Sequence, residues 1–427
     1  MIYEFRDEET ISYCESLLKT MGIIINRHHA HLTIDTSAAI AESLTNAWDQ
    51  EVKRHALPLP LRLISSEILG NTLLTLATYF ANDNFTDFLI EEVIEQGDPE
   101  NEDRASISPL TQTAVEALLK SHSQKNLQRL LDLIIDDVED YSLSLENKAS
   151  REIQQWRYNV IWIVGEVAYR QPALLQTEDM VVDFISALKT ILKVSKKWQH
   201  AVHAAEALGK IGTILDQNQV SQVIHSLKDS LLGKHNRLII GIDKIQESAA
   251  LALGEIGVKK PEVFNEILDT LIERRTEFDY EVRCAILKAI GRLGKVADSE
   301  QIPRIFEVCI EFLSDCNHKA KTPNAIVRKK AAQVLQGLIQ KYSDYAATKL
   351  QKVIEAARQV LNGPSDGRIW DKARVAVVWT LNDIALAVSD RQRQAVIKII
   401  KEYINDSSEN VQDAAEEALK VIMEFRL

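Results

Sequence analysis

The stretch Phe278-Asp-Tyr-Glu-Val-Arg-Cys-Ala-Ile-Leu-Lys-Ala-Ile-Gly-Arg-Leu-Gly294 decides the fold. Its apolar residues Val282, Ala285, Ile286, Ala289, Ile290 and Leu293 recur every three or four positions, the spacing of one face of an α-helix. The same stripe returns along the chain. With Gly291 as the reference position, the equivalents are Gly165, Gly209, Gly254, Gln336, Asn382 and Lys420, at successive spacings of 44, 45, 37, 45, 46 and 38 residues. One position earlier the residues are Val164, Leu208, Leu253, Ile290, Leu335, Leu381 and Leu419. Two positions later they are Val167, Ile211, Ile256, Leu293, Leu338, Ile384 and Ile422. A second amphipathic helix precedes each of these, as in Met180–Val194, Val220–Leu232, Val263–Ile272, Ile302–Leu313, Ala347–Leu361 and Gln392–Tyr403. Each unit is then helix A, turn, helix B. A lone hairpin cannot cover both of its apolar faces, so neighbours must stack to complete the core.

Composition agrees with long helices. Among 427 residues 46% are hydrophobic, with only 15 Gly and 9 Pro. The four cysteines, Cys14, Cys284, Cys309 and Cys316, form no Cys-x-x-Cys pair, which points to a reducing compartment and not to a disulfide framework. The N-terminus carries no basic-then-apolar signal segment and no apolar run approaches 18 residues, so a soluble, cytoplasmic protein without membrane contact is expected. Charge is uneven: residues 1–150 hold 11 Lys+Arg against 26 Asp+Glu, a net of −15, and the rest of the chain is at +3. The Pro- and Ser-containing stretch Gly97–Pro109 is the best linker. The expected organisation is an acidic, mainly helical N-terminal module over residues 1–105 and a repeat solenoid over residues 106–427.

The repeats resemble the HEAT-repeat family, an armadillo-like α-solenoid. The resemblance rests on Asp279-x-x-Val282-Arg283 followed by Ala289-Ile290-Gly291-Arg292-Leu293-Gly294. Asn324-x-x-Val327-Arg328, Ala204 to Gly212 and Ala249 to Gly257 echo it. It covers roughly residues 150–427, and the last two repeats lose the glycines. The resemblance implies an all-α fold, a right-handed superhelix of about seven hairpins, with A helices outside and B helices on the concave side. It also implies a non-catalytic scaffold or adaptor. Two enzymatic branches of similar architecture, bilin lyases and HEAT-like DNA glycosylases, give the alternative readings.

Candidate partner contacts are residues that break the repeat. Three positions before the reference the residue is polar in most repeats, as in Glu206, Lys288, Gln333 and Glu417, so this position faces away from the hairpin core. In two repeats it is Trp162 and Trp379, and Tyr158 lies on the same face as Trp162. Large aromatic rings there suit a partner-binding anchor, and packing on the adjacent repeat is the competing reading. The A-to-B turns add a basic ridge in Lys196, Lys197, Lys234, Arg237, Lys319 and Lys321. A ridge of this kind suits a protein partner with an acidic surface, and nucleic acid less well. Compensation of helix carboxyl ends explains the same charges. Arg157, Arg283, Arg328 and Arg374 recur at one repeat position, which favours a structural role. No spacing of His and Cys fits a metal site. No phosphate loop, dinucleotide fingerprint or nucleophile elbow is present, so neither cofactor nor catalysis is expected.

Overall fold

The computed structural model describes residues 86, 89–90, 109–121, 124–143, 151–174, 178–195, 198–234, 241–275, 279–314, 321–363 and 368–424. The described residues fall in two compact units, Met1–Ile214 and Leu215–Leu427. The acidic N-terminal module expected over residues 1–105 lies outside the described residues, apart from Thr86, Leu89 and Ile90. Among the described residues the regular structure is helical and no strand occurs.

In the first unit the described helices are α1 (Pro109–Ser121), α2 (Gln124–Leu143), α3 (Arg151–Arg170), α4 (Glu178–Val194) and α5 (Trp198–Gly212). Helices α1, α3 and α5 form one row, and α2 and α4 the other. Each A helix therefore touches its own B helix and the next A helix. Leu118, Leu127, Val160, Val164, Phe184, Leu188, Leu208 and Ile211 fill the space between the rows and are buried. Thr86 Oγ1 lies 3.2 Å from Ser121 Oγ, and Leu89 and Ile90 are buried.

The second unit runs α6 (Gln217–Leu231), α7 (Ile242–Lys259), α8 (Phe264–Glu273), α9 (Tyr280–Gly294), α10 (Ile302–Ser314), α11 (Lys321–Lys341), α12 (Ser343–Thr348), α13 (Leu350–Leu361), α14 (Arg368–Ala387), α15 (Asp390–Lys401) and α16 (Glu409–Glu424). The B row is α7, α9, α11, α14 and α16. The helix boundaries follow local chemistry. Asp216 Oδ1 accepts from the Gln219 amide at 2.9 Å, and Asp279 Oδ1 from those of Glu281 and Val282 at 2.7 and 3.1 Å, so both cap helix starts. Helix α6 ends in a Schellman turn. Gly233 adopts φ +63°, its amide donates to the Ser230 carbonyl at 2.9 Å, and that of Lys234 donates to the Asp229 carbonyl at 3.0 Å. Helix α11 begins at Lys321, ahead of Pro323, because the first turn needs no amide from a proline. The A helix expected over Ala347–Leu361 is broken at Lys349 into α12 and α13.

The reference glycines sit where B helices approach. A Cβ on Gly165 would stand 2.8 Å from the Ala207 Cβ, and one on Gly254 only 2.7 Å from the Ala289 Cβ. On Gly291 it would meet Val334 at 3.1 Å. Ala207, Ala289 and Val334 occupy one repeat position, two before the next reference. The glycine repeat is thus a record of neighbouring backbones in near contact.

The recurring arginine has an equally physical explanation. Arg283, Arg328 and Arg374 are buried. Arg374 Nε donates to the carbonyl of Leu361, the last residue of its own A helix, at 3.1 Å, and the guanidinium pairs with Asp406 in the next repeat. Gln246 takes the same repeat position and donates to the carbonyl of Leu231, the last residue of α6, at 2.9 Å. Gln412 occupies it in the final repeat and donates to the Asp406 carbonyl. The position calls for a long donor that closes the carboxyl end of the A helix or the turn behind it, and Arg or Gln serves.

Candidate partner-binding surface

Ion pairs mark which surfaces the fold already uses. Between A helices Arg304 pairs with Asp269, Glu307 with Lys349 and Lys352 at 2.7 and 2.8 Å, and Arg358 with Glu402 at 3.5 Å. Between B helices Arg170 reaches Glu116, Lys244 reaches Glu281, and Gln340 Nε2 donates to Asp383 at 2.8 Å. Glu281 is held below the usual carboxylate range by the Lys244 hydrogen bond, and Lys244 is raised by the same bond. All of these contacts join successive repeats, and in the ion pairs among them the charges neutralise one another.

The B-helix face carries the residues set apart by the sequence. At its outward position Lys288, Gln333 and Glu417 are exposed, and Glu206, Leu251, Trp162 and Trp379 are partly so. Trp162 has company. Lys210 Nζ on α5 lies 5.3 Å from its ring centroid and pairs with Glu166 on α3 at 2.5 Å. The ring thus rests under a cation anchored by a carboxylate one turn along α3, and keeps an accessible edge. Tyr158 lies in α3 and Lys321 at the start of α11, but their side chains are outside the described residues, as are Lys196, Lys197, Arg237 and Lys319 altogether. Lys234 is exposed, follows the positive-φ glycine of the Schellman turn and pairs with Asp229 at 2.7 Å. Its turn neighbour in the next hairpin, Arg275, pairs with Glu311 at 2.9 Å. Trp370 is buried at 8% exposure with the Arg328 guanidinium 5.4 Å from its ring centroid, a structural placement.

Sequence reasoning passed over a cationic cluster on the B face of the second unit. Lys288 and Cys284 on α9 lie near Lys330 on the adjacent α11, and Lys329 is the residue before it. Lys330 is held below the usual amine range by burial and by the charges of Lys288 and Lys329. Burial pushes the Cys284 thiol up to about 11, against the opposing pull of Lys288, Arg283 and Lys330. Among the described residues no carboxylate lies within ion-pairing distance of Lys288, Lys329 or Lys330. Glu247 on α7 also acts on the Cys284 thiol, and its carboxylate is 3.4 Å from Lys244. No signal for this cluster exists within one repeat, because its members come from two.

Among the described residues no three His, Cys, Asp or Glu side chains converge as a metal site requires. His203 is buried with Nδ1 3.1 Å from Glu206 Oε2. No described helix is long and apolar enough to cross a membrane.

No known protein-family description matches the sequence, and no curated protein matches it. Solved structures do. Kap95, in a Kap95:Nup1 complex, is similar over 98% of this chain and 53% of its own, with 14% identity and a TM-score of 0.50. Kap121p bound to Nup53p is similar over 96% of this chain and 40% of its own, with 11% identity and a TM-score of 0.54. A Kap121p mutant gives 15% identity and the same TM-score over 97% of this chain and 43% of its own. The chain spans about half or less of each of these proteins. At such identities the likeness is one of fold. The stacked A/B hairpins and these neighbours define a HEAT/armadillo-like α-solenoid.

Proposed function

We propose that the chain is a non-catalytic scaffold that holds a protein partner on the outward face of its B helices. The observation that carries this reading is the break in the repeat at the outward position. Trp162 and Trp379 stand, partly exposed, where most other repeats place Glu, Lys or Gln and one places Leu251. A large rigid ring on a rigid helix loses little entropy when covered and buries much area. By repeat position Tyr158 belongs to the helical face of Trp162, and Lys196, Lys197, Lys234, Arg237, Lys319 and Lys321 are the proposed edge contacts to an acidic partner surface. The solved neighbours add support of a general kind, since Kap95 is in a complex with Nup1 and Kap121p is bound to Nup53p.

The test is affinity capture from the native host followed by quantitative mass spectrometry, with Trp162→Ala, Trp379→Ala and the exposed A-row change Val182→Asp in parallel. The expected result is one protein lost from both tryptophan variants and retained by Val182→Asp. Titration with that purified partner then shows affinity weakened about 30-fold, the size of a hot-spot contact. Equal retention by all three variants overturns the reading.

A further inference from the structure

We infer that the B face between α9 and α11 is a docking site for a short carboxylate-rich peptide segment of the partner, with Lys288, Lys329 and Lys330 as its cationic floor. The inference rests on the proposed scaffold function and names the chemistry of the bound segment. On the adjacent helices α9 and α11 Lys288 is exposed and Lys329 and Lys330 are half-buried, Lys288 and Lys330 both lie near Cys284, and among the described residues none of the three amines has an ion pair. Like charges gathered beside a partly buried amine disfavour the unbound state, and a carboxylate entering among them relieves both terms. Fold-internal needs do not explain the cluster, since the repeats are joined by other, neutralised pairs.

The surroundings select a peptide over a long polyanion. On one side α7 presents Glu247 and Glu255, and farther along the row α16 presents Asp413, Glu416 and Glu417. The cationic window is therefore about two helices wide, roughly 20 Å, which an extended segment of about six residues spans. A nucleic acid running along the row meets carboxylates at both ends. Trp379 on α14 stands next along the row beyond Gln333 and offers an apolar contact for a ring beside the acids. Thr380 Oγ1 donates to the Ala332 carbonyl at 3.1 Å, which sets that register between α14 and α11.

The test is fluorescence anisotropy on the full chain with a fluorescein-labelled Glu/Asp-rich peptide carrying one Phe. The same peptide with Gln/Asn in place of the acids and a single-stranded DNA of matched charge serve as controls. The acidic peptide is expected to bind, to weaken as salt rises, and to lose at least about tenfold in affinity in Lys288→Glu and Lys330→Glu. Lys288→Gln and Lys330→Gln, which add no new charge, should lose less. Circular dichroism confirms that each variant is folded. The proposal fails if the acidic peptide does not bind, if the neutral peptide binds equally, if the lysine variants bind as well as the parent, or if the DNA binds more tightly through the same lysines. It also fails alone, with the scaffold reading intact, if the tryptophan variants lose the native partner and the lysine variants keep it.

Discussion

Changing Gly254 to Ala tests whether the glycine repeat reports helix contact. In an exposed helix the substitution gains about 1 kcal/mol, because glycine loses more backbone freedom on folding. At Gly254 the new Cβ would lie 2.7 Å from the Ala289 Cβ and 2.9 Å from its Cα. Ordinary carbon contacts lie at about 3.5–4.0 Å, so α7 and α9 must part by roughly 1 Å. The obstacle is backbone and cannot rotate away. Overpacking costs about 1–3 kcal/mol, and a rigid obstacle puts this site in the upper half of that range. The net expectation is a loss of about 1–2 kcal/mol, a fall of about 3–6 °C in Tm for a unit of this size. Gly337 is the internal control. A Cβ there meets nothing within 4 Å, so Gly337→Ala should gain about 1 kcal/mol. Urea titration and thermal melts followed by far-ultraviolet circular dichroism separate the two. If Gly254→Ala gains stability as Gly337→Ala does, the close-contact explanation is wrong.

Three further outcomes are expected. Arg374→Met removes the donor to the Leu361 carbonyl and strips Asp406, whose side chain is 8% exposed, of its guanidinium, costing about 3 kcal/mol by urea unfolding, part of it recovered in the double variant with Asp406→Asn. Glu307 is held below the usual carboxylate range by hydrogen bonds from Lys349 and then Lys352, so its contribution is present above the ordinary value of 4.5 and lost as pH falls through the lowered folded value. Glu307→Gln should flatten that part of the acid limb and cost under about 1 kcal/mol at neutral pH, since the carboxylate is 34% exposed. With its thiol pushed up to about 11 from an ordinary 9.0, Cys284 should alkylate about 100-fold more slowly than an unperturbed cysteine at pH 8, by peptide mapping after iodoacetamide. Its neutral form favours the fold below pH 9.0, and that contribution should fade as pH rises through 11.

The stacked hairpins were legible because burial imposes a period that composition cannot hide. The stripe through Leu253, Ile290, Leu335 and Leu381 is buried throughout, as its spacing requires. The donor behind each A helix was half legible. A search by residue type finds Arg283, Arg328 and Arg374 and passes over Gln246 and Gln412, which do the same job with a different group. The break at Lys349 has no strong local signal, because nothing in Ala347-Thr348-Lys349 stops a helix by itself. Lys288, Lys329 and Lys330 were visible singly as solvated charges. Only the side-by-side placement of α9 and α11 brings Lys288 and Lys330 near one thiol.

The ladder of ion pairs between successive repeats has a consequence for how the chain can be cut. In the second unit each described rung joins a helix to its immediate neighbour in the row and reaches no farther. The last hairpin, residues 390–424, is held to the one before it by Arg374 with Asp406, Arg358 with Glu402, and the Tyr403 hydroxyl donating to Asn362 at 2.9 Å. Removing it severs those rungs and leaves the joints between α7, α9 and α11 untouched, so the unit should shorten by whole hairpins and not collapse. Length in such a molecule is a quantity that can change one rung at a time, while each surviving stretch of surface keeps its own geometry.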